Sequence, residues 1–187
     1  SWQSRNLFRN SNGVSWQSLP IIGSSQSSIS SAIINNPKRF FSKLSRTVLQ
    51  ANSKAHYKIV ATDFFDALNN ENFITVADFN IWTIKYFSKL LGFETEFLKS
   101  SDMGISKEKD ALIIEILKVC QCDTYISSPG SKAYMEDFGI RNYPFEIDFF
   151  DYSKSVIVSE FSQGYGYENI LDLSIRSGIN EVTNSVF

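Results

Sequence analysis

Apolar side chains recur at helical spacing in four segments of this chain. In residues 57–68 they fall on one side of a helix, at Tyr57, Val60, Ala61, Phe64, Phe65 and Leu68. Residues 38–50 and 76–91 carry the same pattern, and residues 107–120 carry a broader apolar stripe. Thr75 and Asp78 have the spacing of a capping box, and Gly92 suits a helix end. The pattern therefore predicts four amphipathic helices.

Strand-like segments precede and follow these helices. Asn12–Gly13 is interpreted as a turn between extended segments at residues 7–9 and 14–22, and the polar run 23–31 as a surface loop. Further strands are predicted at 93–98, 124–127 and 144–150, with short helices at 131–138 and at 170–176, the last ended by Gly178. Because strand and helix alternate from residue 93 onward, we predict an α/β fold. Its mostly parallel sheet would be flanked by helices, with a helical segment in the N-terminal half.

Composition limits the class of protein without naming it. A chain of 187 residues that is 43% hydrophobic, with a net charge of -2, suits a single globular domain with a substantial core. That charge gives no argument for nucleic-acid binding, and no apolar run approaches the ~20 residues of a membrane span. The chain lacks a signal-peptide pattern and does not begin with Met, so we expect a fragment or a processed product. With Cys120, Cys122 and a single histidine, neither a metal site nor a cofactor is predicted.

A strand, a small-residue turn and a helix start are predicted along residues 124–135. Such a turn exposes backbone N–H groups at a helix N-terminus, where an anion is favoured. Ser127, Ser128, Gly130 and Lys132 would hold a phosphate or a carboxylate there. An ordinary turn with an exposed lysine explains the same pattern, and neither a P-loop nor a dinucleotide-binding fingerprint is present.

Basic residues dominate the segment between Lys38 and Lys58. It contains six lysines and arginines, and no acid occurs before Asp63. This surface could receive a phosphorylated substrate, or it could simply be solvated helix faces. His56, the only histidine, is predicted at a helix start, where it could act as a base or merely cap and pack.

Several segments occur in the order found in one protein family. Residues 1–6, followed by Gly13 and Trp16-x-x-Leu-Pro-Ile21, resemble the "W-x-N-R-N … G-x-x-W-L-t-x-P" region of the WbqC-like family. His56-Tyr57, Asn80 and Leu90-Leu-Gly92 also follow its order. Residues 124–135 resemble its "Y-l-S-G-x-x-G-x-x-Y-l" segment, and residues 168–178 resemble its ending. The chain departs from the family at Ser128-Pro129 and at Leu173-Ser-Ile-Arg176, and the family's usual opening segment is absent.

The resemblance implies a cytoplasmic, sugar-modifying role in bacterial surface-polysaccharide (O-antigen, lipopolysaccharide) biosynthesis. It covers the whole chain, so residues 1–187 are taken as one N-terminally truncated WbqC-like domain. The expected activity is a transferase, with acyl or aminoacyl transfer to a nucleotide-linked or lipid-linked amino sugar as the preferred version. His56 would be the base, and Asp172 would orient a partner or the substrate. Arg5 would pair with an anionic group in bidentate fashion, with Asn6 hydrogen-bonding beside it.

A non-catalytic module of the polysaccharide machinery is the alternative from another class. It would bind a sugar nucleotide or another anion without a base. The expected partner in both cases is a nucleotide-linked or phosphorylated sugar, with no nucleic acid and no integral membrane segment. The sequence leaves the donor, the acceptor and the oligomeric state open.

Overall fold

A computed structural model describes residues 2–10, 12–23, 28–132, 145–150 and 169–186 of the chain. These residues form six strands and six α-helices. In chain order they are β1 (Arg5–Asn10), β2 (Gly13–Ser18), β3 (Ile21–Ile22), β4 (Ile33–Ile34), α1 (Pro37–Ala51), α2 (Lys58–Asn69), α3 (Val76–Leu90), α4 (Lys109–Val119), β5 (Thr124–Ser127), β6 (Glu146–Phe149), α5 (Ile170–Ser177) and α6 (Ile179–Val186).

Two compact units divide the chain. Residues 1–95 and 159–187 form the first, and residues 96–158 form the second. Compact units need not be separate domains, so the single-domain expectation stays a prediction.

Among its described residues, the first unit contains two small antiparallel sheets and five α-helices. β1 pairs with β2, and β3 pairs with β4. α1 packs against α2 and β1, and α2 also packs against α5. The predicted apolar faces of α1 and α2 are confirmed: Phe41, Leu44, Val48, Ala61, Phe64, Phe65 and Leu68 are all buried in one core.

Aromatic rings join α2 to α3 within this core. The Phe64 ring stacks on Phe87 at 5.3 Å and meets Tyr86 edge-on at the same distance, while Trp82 stacks on Tyr86 at 5.2 Å. Burial, and secondarily the charge of Asp63, raise the pKa of the Tyr86 phenol above its usual value. The phenol is therefore protonated at neutral pH.

The ends of α3 follow the predicted chemistry. Thr75 N–H donates to Asp78 Oδ2 at 3.0 Å, and Asp78 N–H donates to Thr75 Oγ1 at 3.1 Å, which confirms the capping box. At the other end Gly92 has a φ of 77°, and the Gly92 and Phe93 N–H groups donate to the carbonyls of Lys89 and Ser88. This is a Schellman motif, so the predicted glycine stop is confirmed.

The second unit contains α4 and a parallel pair of strands. β5 and β6 run side by side in register Thr124 to Glu146 through Ser127 to Phe149. Ile114 of α4 is buried against Tyr125, Ile147 and Phe149. Both predicted strands are confirmed, as is the helix that precedes them.

Two fold predictions are wrong. Residues 93–98 form no strand, because no described segment pairs with them after the Schellman motif ends α3. The sheet is also not mostly parallel. Of the three two-stranded sheets within the described residues, only β5–β6 is parallel. The prediction of a mostly parallel sheet counted residues 93–98 as one of the strands that alternate with helices. Without that strand, only β5 and β6 remain to form a parallel pair.

Three further predictions concern other parts of the chain. The turn at Asn12–Gly13 is displaced by one residue, because Asn10 pairs with Gly13 and Gly13 already belongs to β2. α5 and its end at Gly178 are confirmed, while α6 was not predicted. Beyond Lys132, the helix predicted at 131–138 lies outside the described residues.

Candidate functional site

A cavity of about 320 Å³ lies in the first unit, between the β1–β2 hairpin and the helices. Its apolar walls come from the hairpin region and from α1, α2, α3 and α5. They comprise Phe8, Leu19, Phe40, Leu44, Phe64, Leu68, Phe79, Ile84, Phe87, Ile170 and Leu171. A space of this size and composition falls in the range of small-molecule sites.

Carboxamides dominate the polar part of the lining. Gln3, Asn6, Gln17, Asn80 and Asn169 all contribute, together with Ser4, Arg5 and Thr83. Within the described lining there is no carboxylate and no histidine. Each carboxamide both donates and accepts hydrogen bonds, so this lining suits a ligand rich in hydroxyl or amide groups.

The hairpin and α3 fix the positions of these carboxamides. Asn6 and Gln17 are cross-strand partners and therefore share one face of the hairpin. Asn6 Oδ1 accepts from Leu7 N–H at 2.8 Å. Asn80 Nδ2 donates to Gln3 O at 3.0 Å and so ties α3 to the 3-10 turn that precedes β1.

Arg5 supplies the cation of the cavity lining. Its guanidinium lies 4.7 Å from the centroid of the Trp16 ring, a cation–π distance. Trp16 is 56% exposed, and the register places Arg5 and Trp16 on the face opposite Asn6 and Gln17, so the guanidinium lies at the solvent side of the hairpin. A guanidinium held over an indole can still offer N–H donors to an anionic group.

Asn169 and Asp172 fasten the start of α5 to β1. Asn169 caps the helix, with its Oδ1 accepting from Asp172 N–H at 3.0 Å, and its Nδ2 donates to Leu7 O and to Asp172 Oδ2. Asp172 Oδ2 also accepts from Arg9 N–H at 3.0 Å. Asp172 is only 3% exposed and does not line the cavity, whereas its neighbours Asn169, Ile170 and Leu171 do.

His56 lies elsewhere on the first unit. It is exposed, two residues before α2 begins, and its ring meets Tyr57 edge-on at 4.6 Å. It does not line the cavity. Tyr57 in turn packs against Gly178, where an added Cβ would lie 2.9 Å from the ring.

The Ser127–Lys132 turn belongs to the second unit. Ser127 Oγ and Ser131 Oγ are 2.6 Å apart, and Ser131 Oγ donates to Ser128 O at 2.6 Å. The N–H groups of Ser131 and Lys132 donate to the carbonyls of Ser128 and Pro129. Lys132 Nζ lies 5.7 Å from the Phe149 ring centroid. One N–H of the predicted anion site, that of Lys132, is therefore used inside the turn, as is the N–H of its neighbour Ser131.

Comparison with protein-family models identifies the family of the chain. The model of the WbqC-like protein family matches residues 1–183. The chain belongs to the WbqC-like family. No curated protein and no solved structure matches it.

Membership of the WbqC-like family fits a polysaccharide-related role in general terms. Within the described residues, no helix is both long and apolar enough to cross a membrane. Nor do three or more His, Cys, Asp or Glu side chains of that part of the chain come together as a metal site.

The structure brings together only some of the predicted site residues of this WbqC-like chain. Arg5 and Asn6 line the cavity, and Asp172 is buried beside it. His56 is outside the cavity lining, and Ser127, Ser128, Gly130 and Lys132 are in the other unit.

Sequence reasoning did not select four of the five carboxamides, Gln3, Gln17, Asn80 and Asn169, as site residues. For Gln17 the predicted turn gave a register that does not pair it with Asn6, and only the observed register places the two opposite each other. Asn80 was noted only as part of the family resemblance. Asn169 has no signal of its own beyond its helix-capping position, since its role depends on contact with a strand more than 150 residues away in sequence.

Proposed function

We propose that this chain binds a nucleotide-linked or lipid-linked sugar of cytoplasmic surface-polysaccharide biosynthesis in the hairpin cavity. The observation that carries the proposal is the lining itself: an apolar interior, five carboxamides, one arginine and no carboxylate among the described residues. Family membership supports the polysaccharide context.

The lining matches the chemistry of such a ligand. Sugar hydroxyls and N-acyl groups need partners that donate and accept, which carboxamides provide. The C–H face of a sugar ring, or an acyl substituent, can cover apolar walls such as those of Phe79 and Ile84. Arg5 can bind a phosphate or carboxylate oxygen in bidentate fashion, and no acid in the described lining would repel it.

Binding can be tested with nucleotide-linked amino sugars by titration calorimetry. For Arg5→Ala we expect a loss of about tenfold or more in affinity for a phosphorylated sugar, since a charge-assisted hydrogen bond is removed. Asn80→Ala should weaken binding several-fold, including binding of the free sugar. Arg39→Ala removes the same charge from an exposed position outside the cavity and should change nothing. Equal affinities for the Arg5 and Arg39 variants would reject the cavity as the site.

Beyond binding, the proposed reaction is the transfer of an acyl or aminoacyl group to the amine of the bound sugar. The amine would attack the donor carbonyl, and the donor's leaving group would depart. His56 would take the amine proton, which requires that the amine extend beyond the cavity, because His56 is not part of the lining. Asp172 would act by holding β1 in place. Ser127, Ser128, Gly130 and Lys132 would bind the donor's phosphate or carboxylate. The exposure of His56 supports this role, because a reacting group must be accessible.

A non-catalytic binding module is the second candidate. It is favoured by the described cavity lining, which contains neither a histidine nor a carboxylate to serve as a base. Incubation with amino-sugar nucleotides and acyl donors, with product detected by mass, separates the two candidates. Binding without product for every pair would favour the module.

The transfer proposal makes one sharp prediction about His56. His56→Ala should abolish turnover while the far-UV circular dichroism spectrum and the ligand affinity stay unchanged, because the side chain is exposed and lies outside the cavity lining. Lys54→Ala, at another exposed position in the same connection, is the matched control. Wild-type turnover in the His56 variant would remove it as the base.

A further inference from the structure

Charge is distributed unevenly along this chain. The first 62 residues contain eight lysines and arginines and no aspartate or glutamate, which leaves ten basic and all twenty acidic residues for positions 63–187. The net charge of -2 is therefore the sum of a strongly basic N-terminal third and an acidic remainder. Charge of one sign concentrated on one segment creates a local potential that the overall value does not reveal.

The solvent face of α1 carries part of this charge. Arg39, Lys43 and Arg46 are spaced three and four residues apart, so they lie on one face, opposite the buried Phe41 and Val48. All three are exposed. In the part of the chain that the structure describes, none of the three forms an ion pair with a carboxylate. Their charges therefore face solvent.

Exposed isoleucines lie just before this helix. Ile22 and Ile33 are cross-strand partners in β3–β4, and they are 55% and 45% exposed. Ile34 N–H donates to Ile74 O at 2.9 Å, and Ala77 N–H donates to Ile29 O at 3.1 Å. The exposed Ile29 and Ile74 therefore lie near this small sheet, but Ile74 faces the side of Ile34, because Ile33 bridges to Thr75. We call Ile22 and Ile33, which share one face of the sheet, the isoleucine patch.

Chain connectivity keeps the isoleucine patch close to the basic face. Lys38 is five residues from Ile33, a span of at most about 18 Å in extended chain. Asn35 N–H, between them, donates to Pro20 O at 2.7 Å and holds the connection against the hairpin region. The two features are therefore separated by no more than about 18 Å.

We propose that the isoleucine patch and the basic face of α1 dock this chain on the surface of an anionic phospholipid bilayer. Aliphatic side chains enter the boundary between headgroups and acyl chains, and lysines and arginines meet the anionic headgroups. The same surface fits nucleic acid poorly, because exposed isoleucines offer a phosphate backbone neither hydrogen bonds nor stacking. The docking surface is separate from the cavity and its ligand.

Vesicle sedimentation tests the proposal. Vesicles of phosphatidylcholine with about one-third phosphatidylglycerol should bind the protein about tenfold better than phosphatidylcholine alone. Raising the salt to about 0.5 M should remove most of that preference, because the charges are exposed to solvent. Equal binding to both vesicles, or none, overturns the proposal.

Matched variants separate the two components of the surface. Arg39→Gln with Lys43→Gln and Arg46→Gln should lower binding about tenfold or more. Lys89→Gln with Lys99→Gln and Lys107→Gln removes the same charge from other exposed positions and should change binding less than about twofold. Ile22→Ser with Ile33→Ser should weaken binding several-fold while leaving its salt dependence in place. An equal loss in the two glutamine triples would refute a specific surface.

Two competitors identify the source of the attraction. Inorganic phosphate at the concentration of accessible lipid should leave vesicle binding unchanged if a bilayer is needed. A single-stranded oligonucleotide that binds as tightly as the vesicles and displaces them would show that the surface recognises polyanions in general, which contradicts the proposal. Circular dichroism of each variant confirms that the fold is retained.

Discussion

At the scale of single residues, two backbone positions stand out. Gly178, between α5 and α6, has a φ of 83° and lies against the Tyr57 ring. Gln121, after α4, has a φ of 52°, a conformation that side chains with a Cβ rarely adopt. Both positions end a helix. Substitutions at them therefore measure the free-energy cost of a Cβ at positive φ.

Gly178→Ala should destabilise the protein by about 2–3 kcal/mol, because the new methyl would overlap the Tyr57 ring and the backbone is left-handed. Two alanine variants separate the causes. Gly104→Ala has the left-handed φ without a contact and should cost about 1 kcal/mol, whereas Gly130→Ala has neither and should be near neutral. The measurement is the free energy of unfolding by urea. Equal costs at Gly178 and Gly104 would mean that the ring contact contributes nothing.

Gln121→Gly should stabilise the second unit by about 1 kcal/mol, since glycine adopts this conformation without strain. The N–H groups of Gln121 and Cys122 donate to the carbonyls of Lys118 and Leu117, so the position is the left-handed residue of a Schellman motif. Gln121→Ala keeps the Cβ and serves as the control, with little expected change. Thermal unfolding followed by circular dichroism provides the readout, and a less stable glycine variant would contradict the prediction.

At the scale of helices and strands, local sequence signals predict the ends of helices better than the pairing of strands. The capping box at Thr75 and the glycine at 92 set both ends of α3 through neighbouring residues alone. The hairpin is different, because a one-residue error in the turn changes every cross-strand partner. With Asn12–Gly13 as the turn, Asn6 would not have faced Gln17, although the observed register pairs them.

Thr75→Ala should destabilise the first unit by about 1 kcal/mol, because the Asp78 N–H loses its acceptor at the start of α3. Thr75→Ser keeps the hydroxyl and should lose a few tenths at most. Urea unfolding of the two variants and of Asp78→Ala gives a double-mutant test of the reciprocal bonds. Full additivity of the Thr75→Ala and Asp78→Ala costs would show that the two bonds act independently.

At the scale of the whole molecule, residues far apart in sequence build the site. Asp172 and Arg9 are 163 positions apart, yet Asp172 Oδ2 accepts from Arg9 N–H. This contact fastens the C-terminal helices of the first unit to the strand that carries Asn6. The cavity therefore exists only when the two ends of the first unit have assembled.

Asp172→Ala should destabilise the first unit by about 2–4 kcal/mol, since it removes the acceptor of Arg9 N–H and one of the two acceptors of Asn169 Nδ2. Asp172→Asn keeps an oxygen and should lose less, while Asp66→Ala, at an exposed position of α2, should be near neutral. Unfolding free energy and ligand affinity are measured together. If Asp172→Asn instead lost turnover with no loss of stability, Asp172 would act on the substrate rather than on β1.

The sequence by itself determined helices α1 to α5, the buried faces of α1 and α2, and the ends of α3, because these depend on spacing and capping within a few residues. It also indicated the family, since segments that resemble those of the WbqC-like family occur along the chain in the family's order. Only the tertiary structure decided the sheets: residues 93–98 look like a strand locally but find no partner among the described segments. The tertiary structure likewise selected the carboxamides of the cavity and separated His56 from them. A cavity depends on contacts between residues distant in sequence, and local periodicity contains no information about such contacts.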